Sequence, residues 1–237
     1  MNVLLLHAGI ADRRMWAPQL DALEAAGHHP LAPDLPGFGD AALEPGIVDY
    51  VGFAAGHLDG PGAVVGCSFG GRVALELALA RPDLVDRLVL IAPGLGSWDW
   101  SEDAQAGFAE EEEALERGDL AAAAAQQAGM WLAPGAPEEI RSLTVAMTVR
   151  SYEQQLPLDG KVRTAWPQPS AERRLGELDL PTLVVVGAED LPDLRTICAR
   201  LAAEIPRARL EVVEGAGHLP SLERPDELNR LLLEFLP

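Results

Sequence analysis

Lysine occurs once in this chain, at Lys161, against 17 arginines, and the two bases together are outnumbered 37 to 18 by Asp and Glu. The resulting net charge of −19 would repel nucleic acid and anionic membrane surfaces, so neither is expected as a partner. It does not select a basic substrate either, since a solvated acidic surface accounts for it. In a chain rich in Ala, Gly and Pro, the scarcity of lysine follows codon usage more than binding chemistry. Cysteine is almost as rare: Cys67 and Cys198 lie far apart, which excludes a disulfide framework and fits a reducing, cytoplasmic setting. No run of about 18 apolar residues occurs, so no membrane-spanning helix is expected. The first residues, Met1-Asn2-Val3-Leu4-Leu5-Leu6-His7, have no basic leader and no small-residue cleavage site; they read as a buried strand rather than a signal peptide.

The rest is globular. With 237 residues, 48% hydrophobic and 23% charged, the chain fits one large α/β domain with a full core. Its most informative segment is Gly66-Cys67-Ser68-Phe69-Gly70, a G-x-S-x-G sequence between an apolar run, Ala63–Val65, and a helical run, Gly71–Leu79. A strand, a tight turn carrying a serine, and then a helix make a nucleophile elbow. The glycines admit a turn too tight for Cβ atoms, and the helix start places free N–H groups beside the serine oxygen. With 23 glycines and seven serines, chance gives about 0.07 such pentapeptides. A plain glycine-rich turn with a capping serine is the blander alternative, so the remaining sequence has to decide.

Short apolar runs alternate with helical ones. Strands are expected at Val3–His7, Pro30–Ala32, Ala63–Cys67, Leu84–Ile91, Thr182–Val186 and Arg209–Val213, all near-continuously apolar, as parallel strands covered on both faces should be. Helices are expected near 15–26, 48–58, 69–80, 194–205 and 224–236. The pattern predicts a doubly wound, mostly or wholly parallel sheet of about six strands. Pro30 and Pro33 suit an edge position for the second of them.

One stretch breaks the alternation. Between Ala92 and Pro181 no strand is expected, only helical patterns near 102–130 and 137–155 followed by Pro157, Pro167 and Pro169. We expect a helical lid at 95–177, inserted into a core made of 1–94 and 178–237 and lying over the strand ends. The run Glu110–Glu113 reads as a solvated helix face. Of the larger residues there, Trp98, Trp100, Met130, Trp131, Met147, Tyr152 and Trp166, most should form the lid's own core and two or three should face the cleft. Ile10, Trp131, Met147 and Leu219 are the expected pocket residues.

A serine hydroxyl needs a base, and the base needs an orienting acid. Of five histidines, His28 and His29 read as surface or turn residues, and His57 as a charge near a helix C-terminus. His7 ends the first strand. His218, in Glu214-Gly215-Ala216-Gly217-His218-Leu219-Pro220, follows the last strand, and glycines there let a loop hold its imidazole over the sheet's C-terminal edge. Asp190, after Thr182–Val186, is the expected acid; Glu189, Asp193 and Asp99 are alternatives.

Ser68, Asp190 and His218 in that order, together with several further pieces, resemble the α/β-hydrolase family, in particular its small esterases and lactonases. The pieces are Leu5-Leu6-His7-Ala8-Gly9 with Trp16, Asp34-Leu35-Pro36-Gly37-Phe38-Gly39, Gly66–Gly71, Pro181–Asp190, and Gly217-His218-Leu219-Pro220 with Glu223-Arg224-Pro225. They span the sheet domain in order. The resemblance implies an oxyanion hole from the backbone N–H groups of Gly9 and Phe69, with His7 bracing the loop rather than acting as a base. Ala8 stands where the family most often has Gly, which leaves the loop's donor open. The family's antiparallel N-terminal hairpin is expected to be absent.

The resemblance implies hydrolysis of a small carboxylic ester or lactone through an acyl-enzyme, with no cofactor and no metal, by a monomer or homodimer. Carbon–carbon bond hydrolysis of a diketone-like substrate and peracid formation would use the same residues. A serine at the nucleophile position disfavours dehalogenase and epoxide hydrolase chemistry. The alternative from another class is a non-catalytic small-molecule receptor of the same fold.

Overall fold

The computed structural model describes residues 1–236. In chain order the elements are β1 (Asn2–Leu6), α1 (Ala17–Ala25), β2 (His29–Leu31), β3 (Gly46–Val48), α2 (Tyr50–Ala55), β4 (Gly62–Cys67), α3 (Ser68–Ala80), β5 (Val85–Ile91), α4 (Glu102–Glu116), α5 (Leu120–Trp131), α6 (Glu138–Gln155), β6 (Val162–Thr164), β7 (Thr182–Gly187), α7 (Pro192–Glu204), β8 (Ala208–Val213), α8 (Pro220–Glu223) and α9 (Pro225–Phe235). Six strands form one sheet in the order β2-β1-β4-β5-β7-β8, and every neighbouring pair is parallel.

The strand sequences divide cleanly between two cores because successive side chains point to opposite faces. Val3, Leu5, Ala63, Val65, Val89, Ile91, Leu183 and Val185 pack with Leu23 of α1 and with Leu228, Leu231 and Leu232 of α9. Leu4, Leu6, Val64, Leu88, Leu90, Val184 and Val186 pack on the other face with residues of α2, α3 and α7. Burial on both faces is why these strands read as unbroken apolar runs. β2 lies at the edge, as its prolines imply, and β8 forms the other edge, with Val212 half exposed. No helix among the described residues is long and apolar enough to cross a membrane.

Three sequence expectations are corrected. The stretch between β5 and β7 does contain a strand: β6 pairs in parallel with β3 as a separate two-stranded sheet. Both are three residues long and largely exposed, with only Val48 packed against the core, so no side-chain periodicity announces them. The single helical pattern at 102–130 is two helices, divided where Gly118 adopts φ +73° and Asp119 caps α5 by accepting the Ala122 N–H at 3.0 Å. His28 is buried rather than on the surface, and burial lowers its pKa.

Candidate active site

The turn from β4 into α3 places Ser68. Its backbone has φ +52°, a left-handed conformation that a non-glycine residue adopts only when its surroundings impose it. The surroundings are the two glycines of the pentapeptide. A Cβ on Gly66 would run into the backbone of Gly70, and a Cβ on Gly70 into the carbonyls of Leu6 and His7. The turn can therefore close against β1, and the Gly70 N–H donates to His7 O at 3.0 Å. Ser68 is left half-buried at the first position of α3.

Asp190 and His218 come together from two other strand ends. His218 Nδ1 lies 2.9 Å from Asp190 Oδ2, and both side chains are buried. The other Asp190 oxygen accepts the Leu191 N–H at 2.8 Å. A carboxylate has no proton to give, so the proton on this pair sits at His218 Nδ1 and leaves Nε2 with a free lone pair. The loop carrying His218 crosses the end of β7 at Gly187, where a Cβ would strike the carbonyls of Ala216 and Gly217. It continues toward β4 until Cys67 Sγ lies 3.6 Å from His218 O, one residue before the elbow serine. No hydrogen bond joins Ser68 Oγ to His218 among the described residues. Burial, together with Asp190, Cys198 and Glu223, pushes the Cys67 thiol well up, so Cys67 is a neutral packing residue rather than a competing nucleophile.

The alternative acids fall elsewhere. Glu189 and Asp99 are exposed. Asp193 accepts the Trp98 indole N–H at 2.9 Å, the Ser101 N–H at 3.0 Å and the Ser101 hydroxyl at 2.7 Å. Burial disfavours its charge, but these donors overcome that and hold its pKa below the usual value. Asp193 thus fastens the start of α4 to α7.

On the side of β1, Ala8 and Ala11 close a turn, with the Ala11 N–H donating to Ala8 O at 3.1 Å. The Ala8 N–H is taken by Met15 Sδ at 3.3 Å. The N–H groups of Gly9 and Phe69 have no acceptor among the described residues, and a Cβ on Gly9 would sit 3.6 Å from Phe69 Cβ. His7 is fully buried; its Nε2 accepts the Leu35 N–H at 2.9 Å and its Nδ1 donates to Ala8 O at 2.8 Å. With both nitrogens occupied, His7 braces the loop.

Of the expected pocket residues, Trp131 lies on His218 and Ile10 is half-buried in the β1 turn, its carbonyl accepting the Thr148 hydroxyl at 2.9 Å. Met147 and Leu219 have no exposed surface and belong to the core, with Met147 Sδ accepting the Asp12 N–H at 3.4 Å. They line no open pocket; a long apolar side chain reads the same in a core as in a cleft.

Two groups of residues escaped the sequence reading. One is a polar chain across α4–α6. Trp131 Nε1 donates to Gln127 Oε1 at 2.6 Å, Gln127 Nε2 donates to Glu111 Oε2 at 2.8 Å, and the Tyr152 hydroxyl donates to Glu111 Oε1. Glu111 is therefore not part of a solvated face: half-buried, its pKa is raised by that burial. The other is an aromatic group on the elbow, where Phe69 packs against Phe38, Tyr50 and Trp166 at centroid distances of 5.9, 4.9 and 6.1 Å.

The sequence model of the Alpha/beta hydrolase family matches residues 3–231. A 2-hydroxy-6-oxononadienedioate/2-hydroxy-6-oxononatrienedioate hydrolase of Burkholderia vietnamiensis is 28% identical, over 99% of this chain and 86% of that protein. A carboxylesterase of Bacillus subtilis is 25% identical, over 99% of this chain and 80% of its own. Among solved structures, a hydrolase from Pseudomonas aeruginosa superimposes with a TM-score of 0.79 at 26% identity, covering 99% of this chain and 89% of that one.

Proposed function

Because the chain belongs to the alpha/beta hydrolase family, we propose that it is a serine hydrolase that cleaves a small carboxylic ester or lactone through an acyl-enzyme on Ser68. The observation that carries this reading is the Asp190–His218 pair, 2.9 Å apart and buried, delivered to the residue next to the elbow serine. With its proton fixed at Nδ1, His218 Nε2 takes the hydroxyl proton as Ser68 Oγ attacks the carbonyl carbon. The oxyanion is held by the N–H groups of Gly9 and Phe69, and one such donor contributes about 2.7–4 kcal/mol. The tetrahedral intermediate collapses and His218 returns the proton to the alkoxide, which leaves as an alcohol from an ester or stays on the acyl chain as a hydroxyl from a lactone. Water, deprotonated by the same imidazole, then attacks the acyl-enzyme; the acid leaves and Ser68 recovers its proton. Asp190 keeps the imidazole in the productive tautomer and offsets the charge it gains.

Residues 95–177 act as a lid over a core made of 1–94 and 178–237. Trp131 at the end of α5 touches His218, and Thr148 of α6 holds the carbonyl of Ile10. The inserted segment therefore reaches both the base and the oxyanion loop. The acidic protein acts on a small molecule in the cytoplasm, with no nucleic acid or membrane partner and no cofactor or metal.

The similarity to a dienedioate hydrolase favours a second reading, hydrolysis of a carbon–carbon bond beside a ketone, in which the same residues expel a carbanion in place of an alkoxide. A panel of short-chain chromogenic acyl esters, lactones and vinylogous diketones separates the two. Turnover is expected on esters or lactones and is lost in Ser68→Ala, and a serine-directed phosphonate labels Ser68. No turnover on any of them, with Ser68 unlabelled, leaves the receptor reading.

A further inference from the structure

Glu223 is 4% exposed, and its carboxylate has no cationic side chain on it. The neighbouring Arg224 guanidinium bonds the Glu223 carbonyl instead. The carboxylate is satisfied wholly by backbone amides from two separate segments. Oε1 accepts the Ala133 N–H at 2.7 Å and the Gly217 N–H at 3.1 Å; Oε2 accepts the Gly217 N–H at 3.1 Å and the Leu219 N–H at 3.0 Å. Gly217 and Leu219 are the two neighbours of His218. The N–H of His218 itself points the other way, to Trp131 O at 2.8 Å. Three successive amides of this loop are thus fixed from two sides, and Ala133, two residues past Trp131, is drawn onto the same carboxylate.

We propose that Glu223 is the positioning residue for His218: a single buried carboxylate that fixes the backbone on both sides of the base and docks the end of α5, with Trp131, against it. This inference rests on the serine-hydrolase reading. A loop rich in glycine, Glu214-Gly215-Ala216-Gly217, has little intrinsic preference for one backbone path. Asp190 fixes only the imidazole's Nδ1, which leaves the ring free to swing about that contact if the backbone shifts. Amide bonds to an ionised acceptor are about twice as strong as neutral ones, so a carboxylate is suited to holding such a path. Charge at Glu223 is itself costly: burial raises its pKa, opposed by the Ala133, Gly217 and Leu219 amides and by the neighbouring His218. A group kept charged in a buried place by three amides of two segments costs more than a packing residue would, and the arrangement it secures is that of the base.

The test compares Glu223→Gln and Glu223→Asp with the parent protein on whichever ester or lactone the parent turns over, with thermal melts and phosphonylation of Ser68 measured alongside. Gln keeps the shape but presents an NH2 group to amides that need an acceptor; Asp keeps the charge but falls short by one methylene. Expected for Gln is a fall in kcat of about 10–100-fold, the range seen when groups that orient active ligands are removed, with KM within about threefold. Phosphonylation, which needs the base but no product release, should slow by a similar factor in protein that still melts cooperatively. Asp should recover part of the loss. A folded Gln variant with kcat within about threefold of the parent overturns the proposal, as does a rise in KM at constant kcat. If Gln does not fold, the Asp variant decides on the same criteria. Should the parent itself neither turn over nor be labelled, the serine-hydrolase reading fails first, and separately.

Discussion

The indole of Trp131 lies on the imidazole of His218, ring centroids 4.4 Å apart and planes inclined by 36°, and the Trp131 carbonyl accepts the His218 N–H at 2.8 Å. One residue of α5 therefore holds both the ring and the backbone of His218, the proposed base. Trp131 is in turn tethered through Gln127 and Glu111 to Tyr152, so the three helices between β5 and β7 share a polar chain that ends on the loop carrying His218. Placement of His218 is thus a property of the segment between β5 and β7 as well as of the sheet.

Trp131→Ala should lower kcat on an ester substrate by roughly 3–10-fold, the equivalent of an aromatic pair worth about 0.5–1.5 kcal/mol. Trp131→Phe keeps a ring over the imidazole and loses only the bond to Gln127, so it should keep most of the activity. Steady-state kinetics on the two variants check this; equal rates for Ala and Phe would show that the ring contact does no positioning.

Asp190→Asn should be far more damaging than its near-identical shape suggests. The Leu191 N–H already occupies one carboxylate oxygen at 2.8 Å, so the Asn carboxamide satisfies it best with its oxygen there. Its NH2 then faces His218 Nδ1. That forces the proton to Nε2, where it blocks acceptance from Ser68. A loss of about 10³–10⁴-fold in kcat is expected, with the thermal midpoint little changed. Activity within tenfold of the parent would mean that the Asp190–His218 pair does not set the tautomer.

The sheet was legible because its strands are buried on both faces: an apolar run such as Leu183–Val186 has one reading once it lies between Pro181 and Gly187. The pairing of β3 with β6 was not, because Ile47 is 76% exposed and its neighbours bury too little to leave a pattern. Ser68, Asp190 and His218 could be singled out because each follows a strand, and the C-terminal ends of parallel strands share one edge. Glu111 could not be distinguished within Glu110–Glu113, since four identical residues differ only in which of them turns toward Tyr152 and Gln127. Met147 and Leu219 failed as pocket residues for the opposite reason: nothing in a sequence says whether an apolar side chain borders a cleft or lies beneath one.

Gly70→Ala tests the elbow sterically. The added Cβ would enter the carbonyls of Leu6 and His7, which are backbone atoms of β1 and its turn and have little room to yield. A destabilisation of about 3 kcal/mol, toward the upper end for overpacking, corresponds to a drop in Tm of about 6–12 °C in a domain of this size. A melt within 2 °C of the parent, taken as roughly 0.5–1 kcal/mol, would mean that β1 and α3 do not approach as closely as the structure places them.

His7 should give the fold an acid-sensitive term of its own. Burial holds its pKa below the ordinary 6.5, against the opposing effects of the Ala8 carbonyl and the Asp34 and Asp12 charges. Protonation would place a second N–H against the Leu35 N–H that Nε2 now accepts. In the unfolded chain the ring takes up a proton near pH 6.5, while in the folded chain it does not until lower pH. Below 6.5 the unfolded state therefore binds more protons, and stability rises with pH through that window. The contribution is whole above pH 6.5 and is lost as the pH falls from there toward the lowered value. Urea unfolding between about pH 5 and 8 should show this slope in the parent. His28, whose pKa burial also lowers, adds to the slope in parent and variant alike. His7→Gln, which cannot titrate, should be less stable at pH 8 and should lose less stability on acidification. Parallel curves for the two proteins across the window would show that the His7 ring titrates alike in the folded and unfolded chain, and that the brace between β1 and Leu35 does not depend on a neutral ring.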